Sequence, residues 1–406
     1  MMPGFSPDFR IIDKSRFSYL PYICRFIHRT VMKERLRYLD NIKIFLITYV
    51  VTGHASVSYG GIGRGEWLFK EPTTDFITRL VLNTYNAVGS AFIISLFFFI
   101  SGYFVPASYE RKGLLKFSAD RFIKLGIPMV IYFFLISHVV KYLVGIAANG
   151  YTTGFFHYLS GAWRTGDYGR LGIMWFAEVL LGFSLVYVFA RNYFPNLKLF
   201  QNIKFPKNSS IFIFGILLAL AGYITRIWFA RGSSDFAGFH VASLFLFFSF
   251  FILGTIAKKN QWLEKLTPRI AHQWFGAVLV LIVIAFVLFV TRKSGMVLHG
   301  FKGKGSLMSL IFSLWEVFLC VGIIMEVIVF FRAKLNNTGK FAAAMARSAF
   351  VVYIIHPVFI VAVKILILPV TIFPLLKYFL AISLIMPAVF FTAWLITRIP
   401  GVNKFV

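Results

Sequence analysis

The sequence predicts an all-α integral membrane protein, a polytopic bundle of about ten transmembrane helices. Three observations predict it. The mean hydropathy of the 406-residue chain is +0.78, hydrophobic residues make up 59% of it, and ten apolar stretches are each long enough to cross a bilayer. Soluble domains contain about 45–50% apolar residues. This composition therefore excludes an ordinary soluble globular protein.

The ten predicted spans divide the chain into three regions. Residues 1–40 form a basic cytoplasmic N-terminal arm, residues 41–397 form the membrane domain, and residues 398–406 form a cytoplasmic C-terminal tail. The predicted spans cover residues 41–59, 86–105, 127–148, 172–190, 211–229, 238–257, 274–291, 306–330, 348–366 and 376–397.

The charge distribution predicts the orientation of these spans. The chain has 42 Lys and Arg residues against 15 Asp and Glu residues, a formal net charge of +27. The cations are scattered between apolar runs and form no single basic domain, so we predict a lipid bilayer as partner and no nucleic acid. Most of them lie in the arm and in alternate loops, which predicts both termini inside. Only the basic loop 291–306 departs from this rule. The oligomeric state stays open.

The first span carries titratable residues on one face. A helix turns about 100° per residue, so the step from Lys43 to His54 returns to nearly the same face about 16 Å further along. Titratable groups at membrane depth are costly and mark functional sites. Asp40, at the start of this stretch, is a further candidate. The alternative is a structural histidine with a lysine that extends to the membrane surface.

A cluster of cations follows the second span. Arg121 and Lys124 are three residues apart and share a helical face, which suits the binding of a phosphate or pyrophosphate group. Ser101 lies upstream, where the sequence reads Ser-Gly-Tyr-Phe. The alternative for the two cations is ordinary positive-inside charge or contact with lipid headgroups.

Carboxylates within spans are rare and commonly pair with a histidine or a lysine. Glu178 lies in the fourth span, three residues after Trp175, and Glu316 lies in the eighth. Trp175 can equally anchor its span at the membrane surface. The two cysteines and the His, Asp and Glu residues lack disulfide or metal-ligand spacing, so we predict no disulfide and no bound metal.

The ninth span contains Tyr353 and His356, followed by Pro357. Proline lacks a backbone N–H and kinks a helix, so it exposes carbonyl groups near His356. We interpret the histidines outside these motifs as structural or solvated, namely His138, His157, His240, His272 and His299.

Taken in order, these motifs resemble those of acyltransferase family 3, a family of membrane proteins. The resemblance covers residues 36–397 and is nearest to the branch containing glucan biosynthesis protein C, which succinylates periplasmic glucans. Lysine stands at positions 43 and 124, where many members have arginine, so a bidentate clamp is not expected there. The matching motifs are Lys43-X10-His54, Ser101-Gly-Tyr-Phe, Arg121 with Lys124, Trp175-Phe176, Trp315-Glu316 and Tyr353-x-x-His356-Pro357.

The resemblance implies an O-acyltransferase of the cytoplasmic (inner) membrane. An acetyl, succinyl or similar acyl group would pass from a cytosolic acyl-CoA, a co-substrate and not a bound cofactor, to a hydroxyl of a cell-envelope glycan or other carbohydrate. We expect His54 to be the general base, with Glu316 or else Glu178 orienting its imidazole. Direct transfer and a covalent acyl-enzyme both stay open. The expected donor-binding residues are Lys43, Arg121, Lys124, Ser101 and Trp175.

Two other classes of function stay open on the sequence. A transporter or flippase for a glycan or lipid-linked sugar would use the same intramembrane His, Lys and Glu residues as a substrate or proton path. A non-catalytic scaffold of a glycan-assembly complex would not depend on His54. The chain lacks the internal repeats with broken spans that are typical of secondary transporters.

Overall fold

The computed structural model of the chain describes residues 36–63, 70–71, 74–194, 200–229, 241–291, 303, 305–337, 339–402 and 405. Every regular element of these residues is a helix, so the predicted all-α fold is confirmed. Residues Tyr38–Val406 form one compact unit. The basic arm up to residue 35 and loop residues 292–302 lie outside the described part of the chain, so the predictions for them stay untested.

The α-helices are labelled here in chain order. In the first half they are α1 (Arg37–Val57), α2 (Phe76–Arg121), α3 (Ile127–Ile131), α4 (Ser137–Asn149), α5 (Phe155–Arg164) and α6 (Trp175–Tyr193). In the second half they are α7 (Asn208–Trp228), α8 (Val241–Asn260), α9 (Trp262–Lys265), α10 (Pro268–Thr291), α11 (Leu307–Lys334), α12 (Lys340–Leu366) and α13 (Pro374–Arg398).

Eight helical segments of the described residues are long and apolar enough to cross a bilayer. One of them, Phe76–Asn149, is 74 residues long and covers two predicted spans, 86–105 and 127–148. Gly113 divides it, because its φ of 72° and ψ of 176° are not helical. Helix α1 coincides with the first predicted span but is not among the eight, since it carries several polar residues. A multi-pass membrane protein is confirmed, and ten spans with both termini inside stay a prediction.

The third predicted span is built from more than one type of helix. Two π-helical turns, Phe122–Gly126 and Tyr132–Ile136, flank α3 and join α2 to α4. Such turns are rare and frequently occur at functional sites. The fourth span starts with a 3₁₀ turn, Gly172–Met174, which leads into α6.

Local sequence explains where helices begin and how closely they pack. The Asp75 carboxylate caps α2 by accepting a hydrogen bond of 2.8 Å from the backbone N–H of Thr78. Helices α2 and α8 cross where Gly102 meets the carbonyl of Phe251, which a Cβ atom at Gly102 would strike. Small residues allow such close approach between membrane helices.

Helix α1 is tied to its neighbours near both ends. Near its start, the Asn41 amide donates to the carbonyl of Leu335 at 2.6 Å, just beyond the end of α11. Near its other end, the Tyr378 hydroxyl of α13 donates to the carbonyl of Thr52 at 3.3 Å. His54 follows Thr52 by two residues, so these contacts fix its depth in the bundle.

Candidate functional site

Two histidines that are 302 residues apart in the chain meet inside the bundle. The Nδ1 atom of His54 lies 2.8 Å from the Nε2 atom of His356. Their rings are nearly parallel, with centroids 5.1 Å apart. His356 is completely buried and His54 partly buried. The structure thus brings together the candidate histidines of the first and ninth predicted spans.

Pro357 explains how His356 is held. In a helix the N–H of residue 357 would bond to the carbonyl of Tyr353, four residues earlier, but proline has no N–H. The carbonyl of Tyr353 accepts instead from Nδ1 of His356, at 2.8 Å. The expectation that the proline exposes a carbonyl near this histidine is confirmed, and the exposed carbonyl fixes the ring.

These two hydrogen bonds assign the tautomers of the neutral pair. A carbonyl oxygen only accepts, so Nδ1 of His356 carries the proton and its Nε2 atom accepts. Nδ1 of His54 must therefore be the donor to His356. It follows that the lone pair of the His54 ring is at Nε2, where a general base needs it.

Tyr353 links the histidine pair to the start of the fourth span. Its hydroxyl donates to the carbonyl of Ile173 in the 3₁₀ turn, and its ring lies 6.0 Å from that of Phe176. The Trp175 ring packs 5.8 Å from that of Phe247 on α8. The Trp175-Phe176 motif therefore borders Tyr353 through Phe176, while Trp175 packs on α8. A donor-binding role for Trp175 stays a prediction.

The face of α1 that runs from Lys43 to His54 is the α1 stripe, and Lys43, at its start, lies beside the Ser-Gly-Tyr-Phe motif. Its ammonium is 3.3 Å from a carboxylate oxygen of Asp40 and 4.9 Å from the centre of the Phe104 ring. Ser101, three residues before Phe104 on α2, is partly buried. The structure thus joins two of the sequence motifs at this end of α1, whereas the donor-binding role expected for Ser101 stays a prediction.

Phe104 also lines a basic cavity of about 270 Å³. The cations Arg111, Lys112, Arg121 and Lys124 line it together with a single carboxylate, Asp120. Asp120 lies 2.7 Å from the Lys112 ammonium and 3.7 Å from that of Lys124. Because four cations face one acid, the cavity keeps a positive charge that suits phosphate groups. The predicted clustering of Arg121 with Lys124 is confirmed in its geometry, and its ligand stays a prediction.

The candidate carboxylates are arranged differently from the expectation. Nδ1 of His54 meets His356, so an imidazole and not a carboxylate fills the orienting position assigned to Glu316 or Glu178. Glu316 is buried and accepts from the guanidinium of Arg226, which also donates to Ser313 at 2.7 Å. A buried guanidinium needs a carboxylate nearby, which accounts for this pairing. In Glu178, Oε2 is buried without a hydrogen-bond partner among the described residues.

A second buried charge cluster, which we did not predict from the sequence, surrounds Glu71. Glu71 accepts from the ammonium groups of Lys364 and Lys377, the latter at 2.9 Å, and both lysines are almost fully buried. Burial raises the pKa of the Glu71 carboxyl, but the hydrogen bonds and charges of the two lysines outweigh it, so its pKa lies below the usual value. The signal was present, because Lys364, Lys377 and Arg226 all fall within predicted spans.

The remaining histidines have separate surroundings where the structure describes them. His272 lies 2.8 Å from a carboxylate oxygen of Glu326, and His138 is completely buried on α4. His240 and His299 lie outside the described residues. Within the described part of the chain, no three His, Cys, Asp or Glu side chains lie close enough together to hold a metal ion. That the protein needs no metal stays a prediction.

Comparison with known proteins confirms the family resemblance. The family model described as an acyltransferase domain matches residues 36–398, which is nearly the whole chain and includes both histidines and the basic cavity. No curated protein and no solved structure matches the chain.

Proposed function

The chain belongs to acyltransferase family 3, and from this premise we propose that it transfers an acetyl, succinyl or similar acyl group from acyl-CoA to a carbohydrate hydroxyl. The acceptor in this proposal is a cell-envelope glycan, and the site of action is the cytoplasmic membrane. The observation that carries the proposal is the hydrogen-bonded series from His54 through His356 to the Tyr353 carbonyl, with contacts of 2.8 Å.

This series supports His54 as the general base. Nε2 of His54 takes the proton of the acceptor hydroxyl while the hydroxyl oxygen attacks the thioester carbonyl carbon. The carbon–sulfur bond then breaks, and the imidazolium returns its proton to the leaving thiolate. Throughout, Nδ1–H of His54 donates to His356, which accepts through its neutral Nε2 atom. A base of this type contributes about 10²- to 10⁴-fold to the rate.

The spacing along α1 supports acyl-CoA as the donor. Lys43 contacts Phe104 in the wall of the basic cavity, and His54 lies eleven residues further along, or about 16 Å. Coenzyme A carries its phosphates and its thioester at opposite ends of an extended pantetheine arm. In the proposal, the phosphates bind in the basic cavity and the arm runs along the α1 stripe, so that the thioester reaches the histidine pair.

A prediction follows for His356 as a positioning residue. His356→Met removes the acceptor of the His54 Nδ1–H bond, and we expect kcat to fall about 10- to 100-fold, as for a lost hydrogen bond to a group that becomes charged. The donor KM should change little. His356→Gln retains an acceptor oxygen and should recover part of kcat. If the methionine and glutamine variants had the same kcat, a purely structural role would be indicated.

A second prediction concerns the basic cavity. Arg121→Ala should raise the KM for acyl-CoA by about 10- to 100-fold, because a charge-assisted contact to phosphate is lost, while kcat stays close to that of the wild type. Lys116→Ala is the matched control, since Lys116 is an exposed cation of the same segment that does not line the cavity. Equal donor KM values for the wild type and Arg121→Ala would show that this cavity does not bind the donor phosphates.

The proposed function is tested with purified protein in lipid nanodiscs. The protein is incubated with acetyl-CoA or succinyl-CoA and with neutral oligosaccharides released from the cell envelope. We expect free coenzyme A and acylated sugar to appear in equal amounts, measured by thiol titration and by mass spectrometry. Movement of the sugar across sealed proteoliposomes without release of coenzyme A would contradict the proposal and indicate a transporter.

A further inference from the structure

A groove of about 600 Å³ opens between α4, α5 and the segment after α5. No sequence motif pointed to it, and the reaction described above does not use it. Its aromatic and polar lining includes Lys141, Asn149, Tyr151, His157, Tyr158 and Asp167. It is larger than the basic cavity and differs from it in chemistry.

The groove and the basic cavity lie at opposite ends of one helical rod. Lys141, in the groove, follows Arg121, in the basic cavity, by twenty residues of nearly continuous helix. At 1.5 Å per residue this is about 30 Å, the thickness of the hydrocarbon core of a bilayer. A rod that crosses the membrane therefore presents the two openings on opposite sides.

A short segment connects the groove to Tyr353, whose carbonyl accepts from His356. It runs from Asp167 in the groove wall to Ile173, whose carbonyl accepts from Tyr353. Six residues span at most about 20 Å. At Gly169 the segment packs directly against the backbone of the rod. Its φ is 115°, and a Cβ atom there would strike the carbonyl of Phe133. The groove therefore lies at most about 20 Å, along this segment, from the residue that contacts Tyr353.

The charges in the groove cancel. The Lys141 ammonium lies 2.9 and 3.0 Å from the two carboxylate oxygens of Asp167. The hydrogen bond from Lys141 lowers the pKa of Asp167, so this carboxyl is ionised at neutral pH. Since its cation is paired with its acid, the groove offers no excess positive charge to a phosphate headgroup. A neutral polar ligand suits it better than an anionic one.

Aromatic faces form one wall of the groove. The rings of Tyr151 and Tyr158 lie 5.8 Å apart, and the ring of Tyr151 occupies the place that a Cβ atom on Gly145 would take. Rings next to amide, hydroxyl and carboxylate groups can cover the apolar face of a sugar while hydrogen bonds engage its hydroxyls. Gly145 therefore gives the Tyr151 ring the room to form this wall.

We propose that this groove binds the carbohydrate acceptor, an uncharged oligosaccharide, on the side of the membrane opposite to the basic cavity. The inference rests on the proposed acyl transfer and adds the location and the chemical class of the acceptor site. The acceptor hydroxyl reaches His54 from the groove, while the acyl donor reaches it from the other end of the rod.

The test compares acceptor dependence in matched variants, with neutral envelope oligosaccharides as the probe and acylated sugar as the readout. Tyr158→Ala should raise the sugar concentration for half-maximal transfer about tenfold or more and leave the KM for acetyl-CoA unchanged. Tyr158→Phe keeps the ring and should therefore raise that sugar concentration less than Tyr158→Ala does. Phe156→Ala is the control for folding, since Phe156 is a highly exposed aromatic residue of α5 outside the groove.

The outcomes separate this inference from the proposed function. If the wild type transfers acyl groups and Tyr158→Ala needs no more sugar than the wild type, the groove is not the acceptor site and the function stands. If the wild type releases no coenzyme A, both the proposed acyl transfer and the acceptor site are wrong. If Tyr158→Ala weakens the retention of phosphatidylglycerol by the purified protein and leaves the sugar dependence unchanged, the groove binds lipid and the inference is overturned.

Discussion

Replacing His54 with alanine should slow acyl transfer severely while the protein still folds. The substitution removes the atom that takes the acceptor proton, so kcat should fall by about 10²- to 10⁴-fold. The KM for acyl-CoA should change little, because Lys43, which contacts Phe104 in the wall of the basic cavity, lies about 16 Å from His54 along α1. The measurement is acylated sugar and free coenzyme A per unit time with purified variants at equal concentration.

A matched histidine control separates catalysis from general damage. His272 also makes a hydrogen bond to another side chain, yet it belongs to a different pair, with Glu326. His272→Ala should leave kcat within about twofold of the wild type, as expected for a surface substitution away from the site. A His54→Ala enzyme with normal kcat, or a His272→Ala enzyme with an equal loss, would contradict the assignment of His54.

Replacing Glu71 with glutamine should strongly lower the free energy of unfolding. The side chains of Lys364 and Lys377 are only 2% and 3% exposed, and both donate to the Glu71 carboxylate. Removing one partner of a buried ionic cluster typically costs about 3–5 kcal/mol, because the remaining charges stay buried without compensation. The free energy of unfolding is measured in mixed micelles for the wild type and Glu71→Gln.

Acidification should destabilise the folded protein through Glu71. The pKa of Glu71 is lower in the folded protein than its usual value, so its ion pairs stabilise the fold fully above the usual carboxyl pKa. This contribution disappears as the pH falls through the lowered pKa of the folded state. The wild type should therefore lose more stability on acidification than Glu71→Gln does, since the amide does not titrate.

A double variant supplies the control for this cluster. Lys364→Met placed on the Glu71→Gln background removes one of the buried charges and should recover part of the lost stability. Glu71→Asp, which keeps the charge, should lose less than Glu71→Gln. A Glu71→Gln protein as stable as the wild type would mean that the cluster adds nothing to stability.

Much of the fold could be predicted because its signals are local. Apolar stretches long enough to cross a bilayer follow from composition, and the helices fall on them. The role of Pro357 also follows locally, because a missing N–H frees the carbonyl four residues earlier. The stripe from Lys43 to His54 follows from helical periodicity alone.

The pairing of side chains across the bundle could not be predicted in the same way. The contact of His54 with His356 depends on how α1 and α12 pack, and no local pattern fixes the packing of helices so distant in sequence. Other histidine-dependent acyl transfers predict a carboxylate beside His54. Glu316 is not available for this role, because the guanidinium of Arg226 pairs with it.

The most direct test of the central claim is mass spectrometry of envelope glycans. A host lacking the gene is complemented with the wild type or with His54→Ala at matched membrane levels. We predict an acetyl or succinyl mass increment on the glycans with the wild type and its loss with the variant. An increment that persists undiminished with His54→Ala would contradict the role of His54 in acyl transfer.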